Sequence, residues 1–309
     1  MAISNLFFIL MLIFGPLISV SASTWPVCWA GMEVGFLGLV PLLFMGGISF
    51  SKEAALKYFC VQALASGMMF MGGCVLYTMY SDSTLYAVLF LAGICLKLAL
   101  FPGHFWVTGV IYGLEWVSCC FILGPLKVAP LAFLVELNIL LPHLHVWVLI
   151  LASASAIAGA SLGNNQTNIR AMLGASSVAH GGWMAVASVY GGLWEYLALY
   201  FLVLCLVLLH LWQGDKFCSA LGIMSMSGLP PFLMFVAKLN VIFCVMSVEG
   251  SYLWLVLPLA SAVLSLMFYL KFSYSLFLTT GRFAGRFSIF TISVLNFIGV
   301  AWFLLTLFL

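Results

Sequence analysis

The chain has 309 residues, of which 65% are hydrophobic and only 6% are charged, and its formal net charge is +2. A soluble domain normally carries about a quarter of charged residues, so the mean hydropathy of +1.25 excludes a soluble globular fold and indicates a surface that faces lipid. The small net charge offers no basic patch for nucleic acid.

Turn signals and charges divide the chain into eleven predicted membrane spans. We therefore predict an all-α integral membrane protein with a single polytopic domain over residues 1–309. Spans one to five form a first repeat, spans six to ten form an inverted second repeat, and residues 287–309 form the final span. The eleven spans cover residues 3–20, 25–45, 54–78, 84–114, 116–135, 144–163, 168–190, 193–213, 217–248, 252–279 and 287–308.

The first span has one feature of a secretory signal peptide, because its apolar run ends in the small residues of 19–23. However, no lysine or arginine precedes the run, and a secretory signal needs positive charge there. We therefore expect this span to be retained.

Loop charges support the same span count. The loop Lys and Arg residues lie in or beside even-numbered loops, whereas the odd-numbered loops have acidic residues and neither Lys nor Arg. Glu115 and Asp215 also fall on the basic side, which the rule tolerates because acids contribute little. Basic residues on alternate loops are typical of a correct count and predict an amino terminus on the basic side and a carboxyl terminus on the other. The basic residues are Lys52, Lys57, Arg170, Lys216, Arg282 and Arg286, and the acidic ones are Asp82, Glu136, Glu195 and Glu249.

Spans four and nine are the longest, at 31 and 32 residues. A continuous helix of that length is about 47 Å long, well beyond the roughly 30 Å of a hydrocarbon core. Both spans contain helix-breaking residues, which are Pro102 and Gly103 in one and Pro230 and Pro231 in the other. We therefore predict that both helices are broken.

Each of these two spans also contains a lysine, Lys97 in span four and Lys238 in span nine. A lysine at the centre of a bilayer costs roughly 2.5–3.5 kcal/mol on insertion scales, so chance retention of two is improbable. Interrupted helices at corresponding places in two halves of a chain indicate an ion pathway. Because the two spans are five apart, the second copy is predicted to be inverted.

Five ionisable residues lie near the middle of a predicted span: Glu33, Lys97, Lys127, His180 and Lys238. Burial weakens proton binding by a lysine, and a nearby carboxylate strengthens it, so a small movement of the partner can change the charge. Glu33 and Lys97 are predicted to form such a pair, and the five residues together favour a proton relay. The alternative is that they form static ion pairs and packing contacts.

Three further residues are candidate accessory members of this relay. Ser176 and Ser177 place hydroxyl groups within a turn of His180, and His104 directly follows the Pro102–Gly103 break. For His104, a purely structural role is an equal alternative.

Sites for other chemistry are absent from the sequence. The nine cysteines form no C-x-x-C pair and nearly all lie in apolar runs, which favours packing over metal binding. There is no G-x-G-x-x-G or Walker loop and no histidine pair at haem-ligand or metal-ligand spacing. We expect no metal, no redox cofactor and no catalytic residue for redox chemistry in this chain.

Several short stretches occur together in one order, and through them the chain resembles the subunit 2 family of mitochondrial NADH–ubiquinone oxidoreductase (respiratory complex I). Members of that family are antiporter-like subunits of the membrane arm. The matching stretches are 29–33, 53–59, 96–98 followed by Pro102 and 104–106, 127–130, 165–170, 176–180, 228–232 with Lys238, and 269–274.

The resemblance implies that the chain translocates protons in a complex that oxidises NADH and reduces ubiquinone in other subunits. It implies a relay of Glu33, Lys97, Lys127 and Lys238, and the eleven-span form found in animal mitochondria. Ala237 stands where proline is common before Lys238, which leaves Pro230–Pro231 to interrupt the ninth span.

The same resemblance implies the surroundings of the chain. FMN, iron–sulfur clusters and ubiquinone are expected in partner subunits. The expected partners are other core and accessory subunits of the membrane arm and lipids, without nucleic acid. The expected location is the mitochondrial inner membrane, with the amino terminus in the matrix and the carboxyl terminus in the intermembrane space.

Two other functions stay open from the sequence. A stand-alone cation/proton antiporter would need coordinating acids in mid-membrane, and only Glu33 is there. A structural anchor in the complex would hold the same charges as static pairs, with no proton crossing this subunit.

Overall fold

The computed structural model describes residues 2–44, 49–78, 84–230 and 232–279, together with six positions between 293 and 301. The chain divides into two compact units, Met1–Trp147 and Val148–Leu309. Of the residues discussed above, Asp82, Pro231, Arg282 and Arg286 lie outside the described residues, as does most of the predicted final span.

The first unit is built from helices throughout its described residues. α1 packs on α2, and α3 packs on α4. A π-helical turn at Cys74–Thr78 follows α3, and a 3-10 turn at Pro125–Lys127 joins α6 to α7. The helices are α1 (Ala2–Ser21), α2 (Trp25–Phe44), α3 (Ser49–Gly73), α4 (Thr84–Leu98), α5 (Phe105–Gly113), α6 (Trp116–Leu123) and α7 (Val128–Leu140).

The second unit surrounds a buried helix. Its elements are α8 (His145–Asn164), which begins just before the unit boundary, α9 (Ile169–Tyr190), α10 (Leu193–Gln213), α11 (Lys216–Ser227), α12 (Leu233–Met246) and α13 (Leu253–Leu278). Every residue of α9 from Ala171 to Ser188 is buried, and α9 contacts α10, α12 and α13. A helix that is buried on all sides needs small residues where its neighbours approach, and the many Ala, Gly and Ser residues of α9 provide them.

The predicted all-α membrane class is confirmed by this architecture. Among the described residues, six helical segments are long and apolar enough to cross a bilayer: Trp25–Phe44, Ser49–Thr78, Trp116–Leu140, Pro142–Asn164, Leu193–Gln213 and Leu253–Leu278. Shorter apolar helices include Asn5–Ser21, Thr84–Leu98 and Leu233–Met246. Many large apolar side chains are exposed along these helices, as expected of a surface that faces lipid. The count of eleven spans stays a prediction.

Two predicted boundaries differ from the structure. Span three was predicted to begin at residue 54, but α3 begins at Ser49 and includes Lys52. Lys57, near the start of that predicted span, has its Nζ 2.6 Å from Glu53 Oε1. Glu136, predicted in a loop, lies in α7 and is exposed. A helix can extend past the apolar core when the charged ends of its side chains remain in water, so charge alone does not mark the helix end.

The interruption predicted for the fourth span lies between α4 and α5. α4 ends at Leu98, and Ala99 adopts a left-handed conformation with φ of +59°. The Leu100 N–H then donates to the carbonyl of Cys95 at 2.8 Å. Pro102 and Gly103 lie in the turn that follows, before α5 begins at Phe105.

The interruption predicted for the ninth span lies between α11 and α12. α11 ends at Ser227, Gly228 has φ of +77°, and α12 begins only at Leu233. Pro230 lies within this gap. The break is thus present although Ala237 replaces a proline that is common in the resembled family.

Close packing of α1 on α2 depends on Gly31. A Cβ at Gly31 would lie 2.6 Å from the backbone nitrogen of Ser19 and 2.9 Å from the carbonyl oxygen of Gly15. Since both contacts are backbone atoms, a methyl group forces the helices apart. Gly31→Ala should therefore reduce the amount of assembled protein and its thermal stability.

Gly67→Ala is the matched control for that change. A Cβ at Gly67, on the exposed side of α3, would have nothing within 4 Å. Alanine therefore changes only the helix propensity at this position, which should stabilise the protein by up to about 1 kcal/mol. Thermal denaturation of the two variants in membranes measures the difference. Equal stability would mean that α1 and α2 do not pack as described.

Candidate functional site

A partly buried ion pair joins α2 to the end of α4. Lys97 Nζ lies 3.0 Å from Glu33 Oε1, and the two side chains are 6% and 18% exposed. Each charge offsets the desolvation of the other, whereas either one alone would be unfavourable in this position. Lys97 lies in the last turn of α4, where the negative end of the helix dipole also favours a cation.

The break that follows Lys97 is held by side-chain and backbone hydrogen bonds. The indole N–H of Trp106, on α5, donates to the carbonyl of Leu96 at 3.0 Å. Together with the contact from Leu100 to Cys95, this bond satisfies carbonyl groups that the end of α4 leaves without helical partners. The last turn of α4, and Lys97 with it, is therefore fixed in place.

Lys127 lies beside a small cavity that the lysine of this pair also lines. It ends the 3-10 turn between α6 and α7 and is 6% exposed. Lys97 and Lys127 both line a cavity of about 30 Å³, whose other polar lining comes from Tyr58, Gln62 and Trp106. That volume and polar lining suit about two water molecules. The first unit therefore brings Glu33, Lys97 and Lys127 to one polar site.

His180 is the centre of a hydrogen-bonded group in the second unit. It lies on α9 and is 2% exposed. Its Nδ1 is 2.8 Å from the hydroxyl of Tyr196 on α10, and its Nε2 is 3.1 Å from the hydroxyl of Tyr269 on α13. Three helices thus meet at one imidazole.

The predicted accessory residues occupy different positions. Ser176 and Ser177 donate to carbonyls of their own helix, those of Leu173 and Gly174, each at 2.8 Å. Ser176 also shares a hydrogen bond with the Tyr269 hydroxyl. The hydroxyl groups at the His180 nitrogens thus come from tyrosines of other helices, because serines within a helix favour the carbonyl one turn back.

His104, in the first unit, is not among the residues that line the cavity shared by Lys97 and Lys127. It is buried at the start of α5, and its ring packs against Phe101 and Phe105, with ring centroids 5.6 and 4.3 Å apart. This placement favours the structural role.

Lys238 lies at the second break. Its Nζ donates to the carbonyl oxygen of Ser227, the last residue of α11, at 2.8 Å. The ammonium is also 5.9 Å from the ring centre of Trp183, within reach of a cation–π interaction. Trp183 is three residues after His180 on α9 and so lies on the same face of the helix. Lys238 therefore sits at the negative end of a helix that the break creates, as Lys97 does.

A larger cavity adjoins Lys238. It has a volume of about 270 Å³ and is lined mainly by apolar side chains of α12 and α13, with Trp183, Ser227 and Gly228 at the break. The ammonium group thus has space on one side.

Sequence reasoning missed the uncharged polar residues of these sites. Tyr58, Gln62, Tyr196 and Tyr269 carry no charge and lie in apolar runs, where tyrosine is common as bulk. The spacing of Tyr196 and Tyr200, one helical turn apart in an apolar helix, was the one available signal. Among the described residues, no group of His, Cys, Asp or Glu is arranged to hold a metal ion.

Comparison with known proteins places the chain among membrane proteins of one family. The family model described as NADH:quinone oxidoreductase/Mrp antiporter, TM, matches residues 22–212. NADH-ubiquinone oxidoreductase chain 2 of Albinaria caerulea is 32% identical over 268 residues, which cover 87% of each chain. The protein of the same name from Lumbricus terrestris is 31% identical over 284 residues, 84% of this chain and 83% of that one.

The fold agrees with these matches. A chain of the respiratory complex I of Thermus thermophilus, solved with bound aureothin, superposes with a TM-score of 0.81 at 23% identity, over 96% of this chain and 77% of that one. The chain therefore belongs to the NADH:quinone oxidoreductase/Mrp antiporter family of membrane proteins.

Proposed function

We propose that the chain is a proton-translocating subunit of the membrane arm of NADH:ubiquinone oxidoreductase, in the mitochondrial inner membrane. Relatives named NADH-ubiquinone oxidoreductase chain 2 match it over most of their length. FMN, iron–sulfur clusters and ubiquinone belong to partner subunits in this proposal. Its partners are the other membrane-arm subunits and lipids.

The observation that carries the proposal is the ion pair of Glu33 and Lys97 beside a cavity that Lys127 also lines. The charged, protonated form of Lys97 is favoured while Glu33 is close. Lys97 releases its proton more easily when the two side chains separate. Water in the cavity would then carry it to Lys127. The interrupted helix allows this movement, because α4 and α5 are joined by a turn rather than by helical hydrogen bonds.

The second unit carries His180 and Lys238 as the later members of the relay. The ammonium of Lys238 is held by the carbonyl of Ser227, and His180 is bonded through both ring nitrogens. Lys238 would serve the exit or the connection to the next subunit. Quinone reduction in a neighbouring subunit would drive the changes in electrostatics and hydration.

An inverted repeat and an eleven-span topology are part of this proposal. The interrupted helix is the fourth span of the first unit, and the interrupted helix of the second unit is likewise its fourth, after α8, α9 and α10. A repeat of five spans inverts its copy in the membrane. With basic residues on the matrix side, the amino terminus lies in the matrix and the carboxyl terminus in the intermembrane space.

A second candidate is an autonomous cation/proton antiporter, since the description of the family includes Mrp antiporters. Such a protein exchanges ions when purified alone and reconstituted. Cation-dependent proton flux through the isolated chain would favour this candidate, and flux only in the assembled complex favours the first.

Lys127→Met tests the proposed relay in the assembled complex. It removes the ammonium but keeps an unbranched apolar chain, so the complex should assemble and oxidise NADH while fewer protons are pumped per electron. Proton uptake and NADH oxidation in proteoliposomes measure this ratio. Lys271→Met is the control, because Lys271 is exposed in α13 and donates to the carbonyl of Gln166.

An unchanged ratio in Lys127→Met would remove Lys127 from the relay and would favour a structural anchor. A high-resolution map of the complex gives an independent test. Ordered water should connect Lys97 to Lys127 in the cavity, and a dry cavity would contradict the proposed path.

A further inference from the structure

Two tyrosine hydroxyls from neighbouring helices lie at the two ring nitrogens of the buried His180. Tyr196, His180 and Tyr269 come from three helices and are 0%, 2% and 1% exposed. The two hydroxyls contact opposite nitrogens of the ring, at 2.8 and 3.1 Å. Both distances are within the normal range of hydrogen bonds.

Counting hydrogens restricts how these groups can bond. A neutral imidazole has one N–H and one bare nitrogen, so one tyrosine must donate to the ring while the other accepts from it. Each hydroxyl can do either. A backbone carbonyl at one nitrogen would fix a single tautomer, whereas two hydroxyls allow both.

We propose that Tyr196 and Tyr269 are the proton-transfer partners of His180 on its two sides. This inference rests on the proposed function and extends it to two residues that carry no charge. Each single transfer through the ring needs no movement of heavy atoms, because both hydroxyls already lie within hydrogen-bond distance of the ring nitrogens.

The transfer conserves the total number of protons. As a proton arrives at the Tyr196 oxygen, the original hydroxyl proton of Tyr196 moves to Nδ1 of His180. The Nε2 proton moves to the Tyr269 oxygen, and the original hydroxyl proton of Tyr269 leaves to an acceptor beyond it. Ser176, which shares a hydrogen bond with Tyr269, is the neighbour on that side. The ring ends neutral in the other tautomer, so a half-turn of the ring about its Cβ–Cγ bond, with reorientation of the hydroxyls, restores the starting arrangement before the next proton passes.

Single-atom changes test the inference in the assembled complex. Tyr196→Phe and Tyr269→Phe each remove one oxygen and keep the ring. Each should lower the number of protons pumped per electron to the level of His180→Asn, with NADH oxidation retained. The double variant should lose no more than either single variant, because a series relay fails at its first gap. A packing role predicts additive losses of stability instead.

Tyr200→Phe is the matched control. Tyr200 is fully buried on the same helix as Tyr196, and its ring centroid is 5.0 Å from that of His180. It is not one of the two hydroxyls at the ring nitrogens. This variant should pump normally, and a loss equal to that of Tyr196→Phe would overturn the inference.

The outcomes separate this inference from the proposed function. Normal pumping in both tyrosine variants with impaired pumping in His180→Asn would overturn the inference alone. Normal pumping in all three, with Lys97 and Lys127 variants impaired, would overturn it and restrict the relay to the lysines. Normal pumping in every variant would overturn the proposed function as well.

If neither tyrosine variant assembles, the inference is tested by infrared spectroscopy of the wild-type complex. Infrared difference spectra of complex containing ¹⁵N-labelled histidine should show exchange between the two imidazole tautomers during turnover. Tautomer bands that stay constant would overturn the inference.

Discussion

Lys97→Met is expected to uncouple electron transfer from proton pumping. The substitution removes the ammonium that lies 3.0 Å from Glu33 and lines the cavity shared with Lys127. The methionine side chain fills a similar volume, so the helix ends and the turn after Leu98 should keep their packing. NADH oxidation should continue, with far fewer protons pumped per electron in proteoliposomes.

Removal of one partner of a buried pair also has a stability cost. The loss of stability is roughly 3–5 kcal/mol for fully buried pairs. We expect a loss near the lower of these values for Lys97→Met, because Glu33 is 18% exposed. Glu33→Gln added to Lys97→Met removes the unpaired carboxylate and should restore stability. It should not restore pumping. This separation of stability from transport distinguishes a relay from a static ion pair.

Lys57→Met is the matched control for both measurements. Lys57 forms the same kind of pair with Glu53 at 2.6 Å, but the two side chains are 59% and 58% exposed. Exposed pairs contribute about 0–1 kcal/mol, so stability and pumping should change little. A Lys97→Met complex that pumps as well as the Lys57→Met complex would exclude Lys97 from the relay.

Gly228→Ala is expected to displace Lys238 from its place at the second break. An added Cβ would lie 2.8 Å from the ammonium nitrogen of Lys238, so one of the two groups must move. The flexible lysine end should move into the cavity of about 270 Å³ beside it and lose its hydrogen bond to Ser227. Pumping should therefore fall although no charged residue is replaced.

Gly214→Ala isolates the backbone part of that change. Gly214 has φ of +80° and Gly228 has φ of +77°, but a Cβ at Gly214 would have nothing within 4 Å. Both variants should lose about 1–2 kcal/mol of stability, because an alanine disfavours the left-handed conformation. Only Gly228→Ala should reduce the protons pumped per electron. Equal pumping in the two variants would show that the position of Lys238 does not matter.

Sequence reasoning identified the charged part of the sites more completely than the uncharged part. A lysine or glutamate inside an apolar run is conspicuous because its burial is unfavourable, and Glu33, Lys97, Lys127 and Lys238 were all found in this way. Tyr196 raises no such signal, since an aromatic residue in an apolar helix is ordinary. Its role depends on a histidine 16 residues away, which periodicity cannot reveal.

The sequence by itself determined the membrane class, the two interruptions and the residues able to carry protons. Each of these follows from local chemistry, namely the hydropathy of a segment, the missing N–H of proline or the charge of one side chain. Only the tertiary structure decided that Lys97 and Lys127 share a cavity, that Lys238 binds the carbonyl ending α11, and that two tyrosines enclose His180. These contacts join side chains of different elements, at sequence separations from 11 for Lys238 and Ser227 to 89 for His180 and Tyr269, and depend on how the helices pack.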